Sequence, residues 1–224
     1  MAQLIEIVPM DRTLRETLIE TARNRQPGSD PSHDFEHILR VLHLAEKLAE
    51  STEADLDILV AAALFHDIVV RPKNTMQSRS DTEDSALVAK AILRGIDTFP
   101  CQKTPHVMAC IRECSFSRGL KATSIESEIL QDADRLEATG AIAIMRTFSS
   151  GGQMRRPLYP AEDPMCRQGS IRFRSSLDLF FERLLVVGDA MNTARGKALA
   201  KRRTRFLKQF LEQLQDELSD AGMI

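Results

Sequence analysis

Apolar residues recur at the helical period through most of the chain. Between 34 and 50 they fall at Ile38, Val41, Leu42, Ala45, Leu48 and Ala49, the i, i+3, i+4 stripe of a helix with one buried face. Asp30-Pro31 just upstream supplies a cap and a first-turn proline for that helix. Residues 54 to 70 are apolar almost all round, as a central helix requires, and Pro72 is expected to end it. Ala86, Ala89, Ile92 and Leu93 mark a helix over 81–95, closed by Gly95, and further helices are expected over 103–114 and 122–148. The last of these carries Ile129, Leu130, Ala133 and Leu136 on one side. A polar stretch with glycine and proline, Ser149 through Pro164, reads as a long surface loop. Two more helices complete the pattern: 169–186, with Leu177, Phe180, Phe181, Leu184 and Leu185, and 190–219, with a stripe at Leu199, Phe206, Phe210 and Leu214. No credible strand appears, so the expected fold is all-α.

With 224 residues, 43% of them hydrophobic, the chain can bury one substantial core. Residues 1–150 are expected to form a helical core, and 151–224 a loop and C-terminal helices that pack on it as part of the same domain. A net charge of -2 gives no global footprint for nucleic acid. Lys197, Lys201, Arg202, Arg203, Arg205 and Lys208 make the terminal helix locally basic. Glu212, Asp216 and Glu217 partly balance them, so a solvated face is favoured over a nucleic-acid partner. The four cysteines match no zinc spacing and read as reduced thiols of a cytoplasmic protein. The N-terminus has no basic leader, and no apolar segment reaches the roughly 20 residues that span a bilayer. The expectation is a soluble protein without a membrane partner.

Chemistry concentrates in His37, the adjacent pair His66-Asp67, and Asp134. His37 lies one turn before Val41, on the buried side of its helix. His66-Asp67 sits in the run Leu59-Val60-Ala61-Ala62-Ala63-Leu64-Phe65-His66-Asp67-Ile68-Val69-Val70, where an ionised carboxylate is costly unless something pairs with it or coordinates it. Taken singly, each is more often a hydrogen-bonded core histidine or a solvated acid than a ligand. Jointly they make a nitrogen and oxygen shell: neighbouring helical side chains point about 100° apart, so His66 and Asp67 can reach one ion beside the helix. Such a shell suits Mn²⁺, Fe²⁺, Ni²⁺, Co²⁺ or Zn²⁺ better than the all-oxygen shells of Mg²⁺ and Ca²⁺. Four protein ligands on a six-coordinate ion leave positions open for water and substrate, which points to catalysis.

Three ordered motifs carry a resemblance: Ser32-His33-Asp34-Phe35-Glu36-His37-Ile38-Leu39-Arg40-Val41, then Ala63-Leu64-Phe65-His66-Asp67-Ile68, then Gln131-Asp132-Ala133-Asp134-Arg135-Leu136-Glu137-Ala138-Thr139-Gly140-Ala141-Ile142. With these the sequence resembles the HD-domain metal-dependent phosphohydrolases, in particular small stand-alone bacterial hydrolases, some of which act on nucleotides. Glu182-Arg183-Leu184-Leu185 and Asp189-Ala190-Met191-Asn192-Thr193-Ala194 echo that subgroup, so the similarity runs from about 15 to 215. The resemblance implies a single HD-domain helical bundle with a C-terminal helical extension. It makes His37, His66, Asp67 and Asp134 the ligands of one divalent ion (Mn, Fe, Ni, Co, Zn or Mg). The substrate it implies is a small phosphorylated molecule, a nucleotide first, cleaved by metal-activated water.

Asp132 would lie on another helix face, as a structural group. His33 and Asp34 match the motif outside its ligand position. His33 could touch substrate phosphate, with a solvated residue an equal alternative, and Asp34 could act as base or orient a water, because the coordinated Asp67 is a weak base. Arg40, Arg71, Lys73 and Arg135 are candidate phosphate partners, Arg40 foremost. Two departures stand out. Glu113 occupies a place where related chains often carry histidine and His106 is out of register, which favours one ion over two. Val69-Val70-Arg71-Pro72-Lys73 is basic where an acidic stretch is usual, and Glu137 stands for a usual aspartate. The alternative from another class is a catalytically silent HD domain that senses a nucleotide. The amphipathic terminal helices could support a homodimer.

Overall fold

The computed structural model describes residues 10–25, 34–50, 52–71, 80–169 and 174–224. All regular elements among them are helical, and no strand occurs among them. The helices are α1 (Arg12–Arg25), α2 (Phe35–Ala49), α3 (Leu56–Phe65), α4 (Asp81–Leu93), α5 (Thr104–Cys114), α6 (Ile125–Leu136), α7 (Gly140–Gln153) and α8 (Ala194–Asp220). A short π-helical turn, Phe180–Leu184, and single 3₁₀ turns lie between them. Asp30, Pro31 and Pro72 lie outside the described residues. Two compact units are formed, one through Asp134 and one from Arg135.

In the first unit α3 is the axis. It packs against α1, α2, α4 and α5, and every residue from Ile58 to Phe65 is buried, which is why its sequence is apolar on all sides. Asp55 starts it by accepting from the backbone N–H groups of Asp57 and Ile58. Each large side chain it buries, Leu59, Leu64 and Phe65 among them, contributes roughly 1.5–3 kcal/mol by leaving water. The helix stops at Phe65, five residues short of the expected end, because the backbone N–H of Val69 bonds to Ser85 Oγ. α1 lies in a stretch where the apolar pattern marks no element. Asp11 caps it, and Leu14, Leu18 and Ala22 bury one stripe.

In the second unit α7 packs on α8, and Ala143, Cys166, Leu177, Phe180, Leu184 and Leu207 form a core. The single helix expected over 122–148 is broken after Leu136. Gly140 adopts a φ of 71°, and the Leu136 carbonyl accepts from Thr139 Oγ1 and from the Arg203 guanidinium at 2.8 Å. Arg203 packs so closely on Gly140 that an added Cβ would stand 3.1 Å from its own Cβ. The loop expected from Ser149 begins later, since α7 runs to Gln153. Gly151 is there for close packing: a Cβ on it would lie 2.0 Å from Ser176 Oγ.

The helix expected over 169–186 is reduced, in its described part, to a few turns. Ser175 and Asp178 cap one another reciprocally, the π turn follows, and Leu185 N–H bonds back to Phe180. On α8 the buried residues are Gly196, Ala200, Leu207 and Leu218, whereas Phe206, assigned to the apolar stripe by spacing, is 46% exposed. No helix among the described residues is long and apolar enough to cross a membrane.

Candidate metal centre

Three helices of the first unit deliver the site. α2 carries His37 in its first turn, where Asp34 caps the helix by accepting the His37 backbone N–H at 2.9 Å. The imidazole therefore enters the core at a helix start where the N–H of His37 itself is satisfied. α3 ends beside His66 and Asp67. α6 presents Asp134 next to its buried face of Ile129, Leu130 and Ala133.

His37 and His66 are buried, with ring centroids 5.6 Å apart and an edge-on angle of 68°. His66 Nδ1 lies 2.8 Å from the Ala63 carbonyl. A carbonyl oxygen only accepts, so Nδ1 is the donor in this bond, which in a neutral imidazole leaves the lone pair on Nε2. That Nε2 is buried and has no hydrogen-bond partner among the described residues.

Around the two imidazoles stand the carboxylates. Asp67 Oδ2 is 3.7 Å from both His37 Nε2 and His66 Nε2. Asp134 Oδ1 is 3.8 Å from His37 Nε2 and 4.0 Å from His66 Nε2. One ligand atom each from His37, His66 and Asp134 lies within 4.8 Å of the others. These separations are too long for hydrogen bonds. Ligands about 2.0–2.3 Å from a shared ion stand roughly 3–4 Å apart, so the atoms of His37, His66 and Asp134 fit a divalent cation with a small closure, and Asp67 Oδ2 stands beside the two imidazoles, outside that group of three. The Asp67 and Asp134 carboxylates are only 29% and 19% exposed, and a bound cation would offset the cost of their partial dehydration.

The remaining candidates are placed less uniformly. Asp132 is fully buried, two residues before Asp134 on α6. Arg40 is half-buried on α2, three residues after His37. Arg71 faces carboxylates: its guanidinium is 2.8 Å from Asp81 and 2.7 Å from Asp84, and their hydrogen bonds hold its pKa above the usual arginine value. Arg135 is buried and donates to the Ala190 carbonyl. His33 and Lys73 lie outside the described residues.

Glu113 spends its carboxylate on the Thr123 N–H and hydroxyl and on the Ser127 hydroxyl, at 3.0, 2.8 and 2.6 Å. His106 pairs with Glu126 at 3.3 Å. Sequence reasoning missed Ser85 and Asp81, which hold Val69 and Arg71 just beyond the His66-Asp67 pair. The available signal was a serine at a core-facing position of α4, four residues before the buried Ala89.

The HD domain family profile matches residues 34–139, a span that holds all four candidate ligands. The Bacillus subtilis protein YpgQ is 34% identical over 192 residues, covering 83% of this chain and 84% of its own. An HD-superfamily hydrolase from Bacillus thuringiensis superposes with a TM-score of 0.70 at 31% identity, over 92% of this chain and 96% of that one. The crystal structure of YpgQ in complex with ADP superposes with a TM-score of 0.69 at 28% identity, over 92% of this chain and 95% of that one. The chain belongs to the HD domain family and has the all-α fold of the HD-superfamily hydrolases.

Proposed function

We propose that this protein is a metal-dependent phosphohydrolase that cleaves a phosphate ester or anhydride of a small phosphorylated molecule, a nucleotide first. One observation carries the reading: His37, His66 and Asp134 each offer a ligand atom within 4.8 Å of the others, with Asp67 Oδ2 3.7 Å from both imidazole nitrogens and His66 Nε2 buried beside them. The nucleotide part is supported by the ADP complex of YpgQ. Mn²⁺, Fe²⁺, Co²⁺, Ni²⁺ and Zn²⁺ suit two imidazoles and two carboxylates, and Mg²⁺ suits them less. When bound, such an ion acidifies water and neutralises charge on a phosphoryl oxygen.

The chain's own residues supply the rest. The Ala63 carbonyl fixes the His66 tautomer and ring orientation. Asp67 and Asp134 bring the two negative charges that a divalent cation offsets. Asp34 holds the start of α2, and with it His37, in place. Asp34 is our candidate for receiving a proton from the attacking water, and His33 for touching the substrate phosphate.

Arg40 is the favoured cation toward phosphate, because it follows His37 by three residues on α2. Lys73 is retained as a further candidate. We also assign the protein to the cytoplasm, a reading supported by three buried reduced cysteines, Cys110, Cys114 and Cys166. Burial pushes the Cys110 thiol up to about 11, which keeps it protonated and inert at neutral pH.

The test is a screen of nucleoside mono-, di- and triphosphates with Mn²⁺, Co²⁺, Ni²⁺ or Mg²⁺, with products resolved into phosphate and pyrophosphate. Turnover that appears only with metal is the expected result. Nucleotide binding without turnover under every metal would contradict the reading and favour the silent, nucleotide-sensing alternative.

A further inference from the structure

The segment that carries Asp67 is not helical, and its course is set from outside. After Phe65 the chain has two ways to continue. In a longer α3 the Val69 N–H would bond to the Phe65 carbonyl. Instead the Ile68 N–H takes that carbonyl at 3.3 Å, and the Val69 N–H donates to Ser85 Oγ at 3.1 Å. Ser85 Oγ also lies 3.4 Å from the Val69 carbonyl, to which its hydroxyl donates. Two residues on, the Arg71 N–H donates to Asp81 Oδ2 at 3.2 Å, while the Arg71 guanidinium is held by Asp81 and Asp84. Ser85 is fully buried and so is most of Ile68, so the stretch from 68 to 71 is fastened at both ends to the first two turns of α4.

We infer that α4 acts as a brace for the ligand turn, with Ser85 and Asp81 as positioning residues that set the direction of Asp67. The inference rests on the metal-site reading above. Its physical basis is a competition for one backbone donor. With the Ser85 hydroxyl present, Val69 N–H has an acceptor outside the helix, and the turn at Asp67 is the satisfied arrangement. Without it, a partly buried N–H loses its acceptor within the fold unless α3 lengthens by a turn to supply the Phe65 carbonyl. That lengthening would rotate Asp67 away from its present position, 3.7 Å from both imidazole nitrogens. A hydroxyl that never touches the ion thus selects between two backbone courses, only one of which delivers the carboxylate.

The experiment measures Mn²⁺ affinity and the visible absorption of the Co²⁺ protein in wild type, Ser85→Ala, Asp81→Ala and Glu83→Ala. Groups that orient metal ligands typically contribute about 10–100-fold in affinity. Ser85→Ala is expected to weaken Mn²⁺ binding about tenfold and to change the cobalt bands, since one ligand is re-aimed. Asp81→Ala, at the half-exposed end of the brace, is expected to weaken binding about threefold, as a partial loss of the same effect. It serves as the deciding variant if Ser85→Ala fails to fold. Glu83→Ala removes an α4 carboxylate that pairs with Arg112 and not with the brace, so its affinity and spectrum should match wild type.

Wild-type protein that binds neither ion would overturn the site and the brace together. Wild-type binding with an unchanged spectrum and affinity in the brace variants would overturn the brace alone, and so would a Glu83→Ala effect equal to theirs.

Discussion

Asp67→Ala is expected to lower metal-dependent turnover by on the order of 10³-fold, the loss of several kcal/mol of transition-state charge stabilisation at tenfold per 1.36 kcal/mol. The Asp67 side chain is 29% exposed, so its truncation opens no closed cavity, and the metal-free variant is expected to fold like wild type. Added metal separates the two proteins. At a free Mn²⁺ concentration of about 100 times its dissociation constant, wild type gains about 2.7 kcal/mol from binding, and Asp67→Ala gains little or nothing. Calorimetry with and without Mn²⁺, beside an activity assay, reads both effects. A variant that unfolds earlier without metal, yet still gains stability from Mn²⁺, would mean that Asp67 is a structural acid and not a ligand.

Phe180→Ala is expected to cost about 3–5 kcal/mol, enough to unfold the second unit in a marginally stable chain. The ring is fully buried, stacks on Phe210 with centroids 5.6 Å apart, and meets Phe148 at 6.0 Å. It sits on the π turn, where neighbouring backbone cannot collapse into the space without undoing the Leu185 to Phe180 hydrogen bond. Phe206→Ala is the contrast. That ring is 46% exposed on α8, so its truncation should change stability by roughly 0.5 kcal/mol or less. Urea unfolding of the two variants gives the comparison, and equal losses would refute this account of the second core.

Features that depend only on neighbouring residues are legible in the sequence. The stripe from Ile38 to Ala49 gives α2, the all-apolar run gives α3 at the centre of its unit, and the four candidate ligands announce themselves by residue type in an apolar setting. The misreadings share one cause, partners distant in the chain. α3 ends early because Ser85, 16 residues beyond Val69, takes a backbone donor. The helix over 122–148 breaks because Arg203, 67 residues beyond Leu136, grips its carbonyl, and because Gly140 readily takes the left-handed backbone that follows.

α1 escapes notice for a different reason: charged residues dilute Leu14, Leu18 and Ala22, and only the spacing betrays the face. Charge is visible in sequence but pairing is not. Arg71 and Arg135, read as candidate phosphate contacts, bond to Asp81, Asp84 and the Ala190 carbonyl, partners that no local pattern reveals. Glu113 shows the converse, a substitution visible in sequence whose use, tying Thr123 and Ser127 to α5, emerges only in three dimensions.

Anomalous diffraction from crystals grown with Mn²⁺ tests the central claim most directly. One manganese peak is expected about 2.0–2.3 Å from His37 Nε2, His66 Nε2 and an oxygen each of Asp67 and Asp134. A difference map with no peak among these four side chains at saturating Mn²⁺, or a peak bound by other residues, would contradict it.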